Sequence, residues 1–223
     1  MQSSPRKTGQ SGFTLVEIAI VLVIIGLLLG GIIKGQEMIT QAKIKNIIND
    51  FNGITAAIAS YQDRYRALPG DDRTAGTRWA GSTSGNGDGQ FNLAAAAGVT
   101  PELYNNTAGA ATAEVSLFWE HMRLSGFVPG ATAGAVSRTP PNNAASGLIG
   151  VQTTGMGFTS NIVCSSNLPD KIAVAVDTQM DDQSSAGGQI RGMLQAGPNP
   201  VVAAATSSYW ETGTNQYLIC KNL

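Results

Sequence analysis

The chain opens with a polar stretch, MQSSPRKTGQSG over residues 1–12, and then turns apolar at once. Residues 13–33, FTLVEIAIVLVIIGLLLGGII, form a 21-residue run whose strongly polar members are Thr14 and Glu17. As a helix it is about 30 Å long, the thickness of a bilayer's hydrocarbon core. The run exceeds the core of a secretory signal and has no small-residue cleavage site after it, so it reads as a retained membrane segment. From Lys34 the pattern becomes two-sided. Ile47, Phe51, Ile54, Ile58, Tyr61, Tyr65 and Leu68 recur at alternating gaps of four and three, which marks one helical face. No proline interrupts residues 13–68, and Leu68-Pro69-Gly70 is a stop signal. One helix over 13–66 is expected, its first half in a membrane. The apolar face of its second half is expected to pack on a sheet of the same chain, with a free coiled coil as the alternative.

Residues 67–223 read as an irregular half followed by a strand-rich half. Asp71 to Gly98 is loop-like, with Gly81, Gly85, Gly87 and Gly89 in quick succession. Thr100-Pro101-Glu102 has the order of a helix start, and AEVSLFWEHMRL over 113–124 fits an amphipathic helix stopped by Gly126. Strands are expected at Ile162–Cys164, Lys171–Val176, Gln189–Leu194 and Gln216–Lys221, with Asp177 to Gly188 as a polar hairpin loop. Strands in a row after helices predict an antiparallel sheet in an α+β domain.

Charge narrows the function. The 223 residues carry 14 Lys+Arg against 15 Asp+Glu, a net charge of −1, which argues against a nucleic-acid binder. The charged fraction is 13%, about half the globular average, and the scarcity is not confined to the membrane segment. Residues 34–66 hold five basic and three acidic side chains, while residues 67–223 hold seven and eleven. Phosphate-loop and paired-cysteine zinc patterns are absent from the sequence. The single histidine, His121, has no nucleophile or orienting acid in a recognisable arrangement, and reads as a packing or surface residue.

Glu17 is the costly residue. A carboxylate inside an apolar helix costs about 2.5–3.5 kcal/mol near a bilayer's centre and less toward its edge. Position near the helix start and the N-terminal dipole would ease it. A positively charged partner in a neighbouring chain would explain it.

Gly12-Phe13-Thr14-Leu15-Val16-Glu17, between a short basic leader and an apolar run, resembles the N-terminus of type IV prepilins and type II secretion pseudopilins. The resemblance covers residues 1 to about 66 well, and the remainder in general layout only. It implies a pilin-like α+β fold with four parts: leader 1–12, transmembrane and assembly helix 13–33, amphipathic stalk 34–66 and globular head 67–223. It also implies cleavage between Gly12 and Phe13 by a prepilin peptidase and methylation of the new amino terminus on Phe13. Glu17 would then neutralise the Phe13 ammonium of an adjacent subunit. The implied partners are the peptidase, other pilin or pseudopilin subunits and an inner-membrane assembly platform. The implied location is the bacterial inner membrane with the head in the periplasm, and afterwards the filament. The implied role is a structural subunit of a type IV pilus or type II secretion pseudopilus, not an enzyme. The alternative is an adhesin or DNA-binding minor pilin on the same mount. One departure stands out: many members have a proline where this chain has Lys34, and Gly26, Gly30, Gly31 and Gly35 surround it instead. These glycines suit either local softening or close helix packing.

Two further expectations concern the head. Ser84-Gly85-Asn86-Gly87-Asp88-Gly89 is similar to the start of a calcium loop but lacks the acids of an EF-hand at its first and twelfth positions, Ser84 and Ala95. Asn86 and Asp88 with Asp71 and Asp72 are candidate Ca²⁺ ligands, and some pseudopilins bind calcium in their heads. A Gly/Asn/Asp turn needing positive φ explains the same residues without a cofactor. Cys164 and Cys220 permit one disulfide, and the family resemblance implies it; two buried free thiols are the other possibility.

Overall fold

The computed structural model describes residues 12, 14–91, 103–107, 109 and 112–223. The expected helix start at Thr100-Pro101-Glu102 lies outside them, as does Phe13. The chain divides into two units, residues 1–42 and 43–223, each taken by itself below.

Helix α1, Leu15–Tyr65, supplies the described secondary structure of the first unit. There its large apolar side chains, among them Leu15, Leu22, Leu27 and Ile33, are exposed. A helix that is apolar all round needs lipid or other helices about it. This one is long and apolar enough to cross a membrane.

In the second unit α1 shows the expected two-sidedness. Ile44, Ile47, Phe51, Ile54, Ala57, Ile58 and Tyr61 are buried, while the positions between them are half-buried or exposed. After the short helix α2 (Ala75–Arg78), α3 (Glu114–Leu124) and α4 (Asp170–Met180) join them in one core with one face of a sheet. The sheet has four antiparallel strands, β1 (Ile149–Gly155), β2 (Phe158–Pro169), β3 (Ile190–Leu194) and β4 (Gln216–Asn222), in the order β1-β2-β4-β3. Its side chains alternate as the pleat requires. Ile149, Val151, Val163, Ile190, Tyr217 and Ile219 face the α1 core. Phe158, Ile162, Cys164, Met193, Leu218 and Cys220 form a smaller cluster with Tyr104 on the other side. The architecture is α+β, with the long helix against an antiparallel sheet.

Three of the four expected strands overlap β2, β3 and β4, with Gln189 falling one residue before β3. The fourth is wrong: Lys171–Val176 belongs to α4. Ile172, Val174 and Val176 favour strands by propensity. Topology overrides that preference. β2 and β3 both pair antiparallel with β4, so they run parallel to each other, and that geometry needs a crossover rather than a hairpin. Asp170 holds the helix start, its carboxylate accepting the Thr212 and Gly213 amides at 2.7 and 2.6 Å. The hairpin loop expected from Asp177 to Gly188 is corrected with it, because Asp177 to Met180 complete α4. β1 is an additional strand at a site where none was expected. α3 runs where expected but is not amphipathic: Glu114 through Arg123 are all buried.

Candidate assembly site and head loop

At the start of α1, Thr14 and Glu17 cap the helix reciprocally. The Thr14 amide and hydroxyl donate to Glu17 Oε2 at 2.8 and 2.7 Å, and the Glu17 amide donates to Thr14 Oγ1 at 3.3 Å. This is a capping box, in which a Ser/Thr and a Glu three residues later satisfy each other's free donors. The Thr14-x-x-Glu17 spacing is the sequence signal for this cap. Gly12 is exposed beside this cap. The carboxylate thus has an internal role, yet remains open to solvent among apolar neighbours.

In the head, the loop after α1 folds back on the helix's last turns. Asp72 accepts the Tyr61 hydroxyl at 2.8 Å and pairs with Arg78 at 2.6 Å. The Arg78 guanidinium lies 4.1 Å over the Tyr65 ring. Burial pushes the Asp72 carboxyl up, but its bonds from Arg78, Thr74 and Tyr61 more than offset that and hold it below the usual range.

His121 pins the same loop from beneath. Its Nδ1 accepts the Gly70 amide at 2.9 Å, and its Nε2 lies 2.9 Å from the Thr83 carbonyl. A neutral imidazole protonated on Nε2 satisfies both bonds. Burial depresses the His121 pKa, opposed by the Thr83 carbonyl, Asp72 and Glu120 and reinforced by Arg78. The unfolded chain therefore takes up the proton first as pH falls below about 6.5. Stability is full above that pH and is lost as pH drops toward the depressed folded value. Between pH 7.5 and 5.5, denaturant unfolding of wild type should lose more stability than that of His121→Gln. Equal losses would refute the assignment.

Asp71 braces the glycine-rich segment. Its carboxylate accepts the amides of Gly87, of Asp88 at 3.1 Å and of Gly89 at 2.7 Å. Gly87 and Gly89 have φ of +72° and +84°, which glycine adopts without steric cost. Asn86 and Asp88 bond to each other. Glu114, from α3, accepts the Asn86 amide at 2.8 Å. Of the four sequence candidates for calcium, the structure brings Asp71, Asn86 and Asp88 together and turns Asp72 toward Tyr61 and Arg78. It adds Glu114, and carboxylate oxygens of Asp71, Asp88 and Glu114 lie within 4.8 Å of one another. No local pattern links Glu114 to this loop, so the sequence did not reveal it.

Cys164 and Cys220 form a disulfide between β2 and β4, joining residues that are direct partners in the ladder. Both are fully buried.

Residues 7–33 match the model of the prokaryotic N-terminal methylation motif. The chain carries a prokaryotic N-terminal methylation motif. The matched residues include Gly12, Phe13 and Glu17 together with the apolar run that follows. No curated protein matches the chain. Among solved structures it is similar to the major type IV pilin PilA1 from Clostridium difficile, at 12% identity and a TM-score of 0.36 over 81% of this chain and 96% of that one. A likeness of that degree carries no weight for the fold, which rests on the helix and sheet described above.

Proposed function

We propose that this chain is a filament subunit of a type IV pilus or type II secretion pseudopilus. In this reading a prepilin peptidase cuts between Gly12 and Phe13 and methylates the Phe13 amine. Helix α1 holds the subunit in the inner membrane with its head in the periplasm. The subunit then leaves the bilayer by packing α1 against the same helix of other subunits on an assembly platform. The observation that supports this most is the methylation motif over residues 7–33 on a helix with exposed apolar side chains all round. Glu17 supplies register: a buried ammonium and a buried carboxylate are each costly alone and tolerable when paired. Mass spectrometry of the membrane-extracted chain tests the processing step. An N-methylated peptide beginning at Phe13 is expected, and a chain retaining residues 1–12 in peptidase-competent cells would refute the reading.

Calcium is a second reading, favoured by the convergence of Asp71, Asp88 and Glu114. A cation there would share carboxylates that already brace the loop, and so would stabilise the folded head by mass action. Thermal unfolding in millimolar calcium should rise by several degrees over unfolding in chelator, and Glu114→Gln should abolish the difference. An unchanged melting temperature would remove calcium from the account.

A further inference from the structure

The stalk portion of α1 in the second unit leaves two opposite charges unused. Asp50 is half-buried on the rim of a groove of about 310 Å³, whose walls include Trp119, Phe127, Val128 and Pro141. Among the described residues, no hydrogen bond or ion pair reaches its carboxylate. Lys45, five positions earlier, is exposed and likewise has no acidic partner among them. The two cannot meet within one helix, because five residues turn the helix by about 140°.

Gly53 lines the same groove and points to what fills it. A helix interior disfavours glycine, and Gly53 adopts no left-handed conformation that would call for one. A Cβ at this position would meet nothing within 4 Å. Nothing in the described chain therefore accounts for a missing side chain there, whereas close approach of an outside group would.

We infer that the groove over Gly53 receives the Lys45 side chain of a second copy of this chain, its ammonium pairing with Asp50. The methylenes of Lys45 cover the apolar walls while the charge stays at the rim, the usual disposition of a long cationic side chain on an apolar surface. A half-buried carboxylate gains more from such a pair than an exposed one does. Donor and acceptor lie on different sides of one helix, so the contact is heterologous. Each copy offers Lys45 to one neighbour and Asp50 to another, and the series does not close on itself. With parallel helices, successive copies would be offset along the axis by about five residues' rise, roughly 7.5 Å.

The inference rests on the filament reading, and charge reversal separates the two. Filaments sheared from cells with the native assembly genes are quantified for wild type, Asp50→Lys, Lys45→Asp, the double reversal and Gly53→Leu. Protease resistance and disulfide content of the membrane-held chain report folding in each case. Each single reversal should lower filament yield about tenfold with the head intact, and the double reversal should restore most of it. Gly53→Leu, which fills the groove without touching charge, should fail in the same way. Normal filaments from the single reversals, or a double reversal no better than either single, would overturn the pairing while leaving the filament reading in place. Absence of filaments from wild type would overturn both.

Discussion

Glu17→Ala is expected to give a chain that is cleaved and N-methylated normally but enters filaments about tenfold less often, or worse. The expectation follows from two separable roles of one carboxylate. Within the chain Glu17 closes the capping box with Thr14, and losing a cap costs about 0.5–2 kcal/mol of local helix stability. Between chains it would meet the Phe13 ammonium, and leaving that charge unpaired among apolar helices costs several kcal/mol, where about 1.4 kcal/mol is already tenfold. Glu17→Gln separates the roles, since glutamine also serves in a capping box. If charge neutralisation governs entry, Glu17→Gln and Glu17→Ala assemble equally poorly. If helix capping governs it, Glu17→Gln restores assembly and Thr14→Ala reproduces the defect. Normal filament yield from both Glu17 variants would remove the residue from the assembly step.

Replacing both cysteines by alanine is expected to cost the head about 4 kcal/mol. The bridge spans 56 positions, and closing a loop of that size restricts the unfolded chain by about this amount in the entropic model. For a domain of this size the loss corresponds to a melting point lower by about 10 °C. The sheet should survive, because β2 and β4 are also joined by their backbone ladder and by side chains on both faces. Calorimetry or denaturant titration of the double variant measures the cost, and a change under 1 kcal/mol would contradict the entropic argument. Alkylation of unfolded, unreduced wild type should add no mass, while reduction first should allow two adducts.

The parts of the fold that were legible in advance share one property: their pattern repeats long enough to outvote local exceptions. α1 was evident from a face sustained through seven apolar positions, and β4 covers the apolar run Tyr217 to Cys220, whose side chains the structure divides between two clusters. α4 was misread because Lys171–Val176 is short, rich in β-branched residues, and helical for a topological reason that no local window contains. β1 escaped notice because Gly150 and the polar Gln152, Thr153 and Thr154 dilute its apolar signal. Gly150 is tight against the Tyr104 backbone, a long-range constraint with no local trace. The site divides in the same way. Gly12, Phe13 and Glu17 are contiguous and stand out. The bracing of the head loop depends on Glu114 and His121, which meet it only after α3 is buried.

The β2–β4 disulfide has a consequence for life outside the cell. Residues 195–215 form an irregular stretch with many exposed positions between the end of β3 and the start of β4. Such a segment is where a protease would cut. Both ends of that stretch lie inside the loop closed by Cys164 and Cys220. A single nick there leaves the two fragments covalently joined, with β4 still seated between β2 and β3. The head can be cut without being shed.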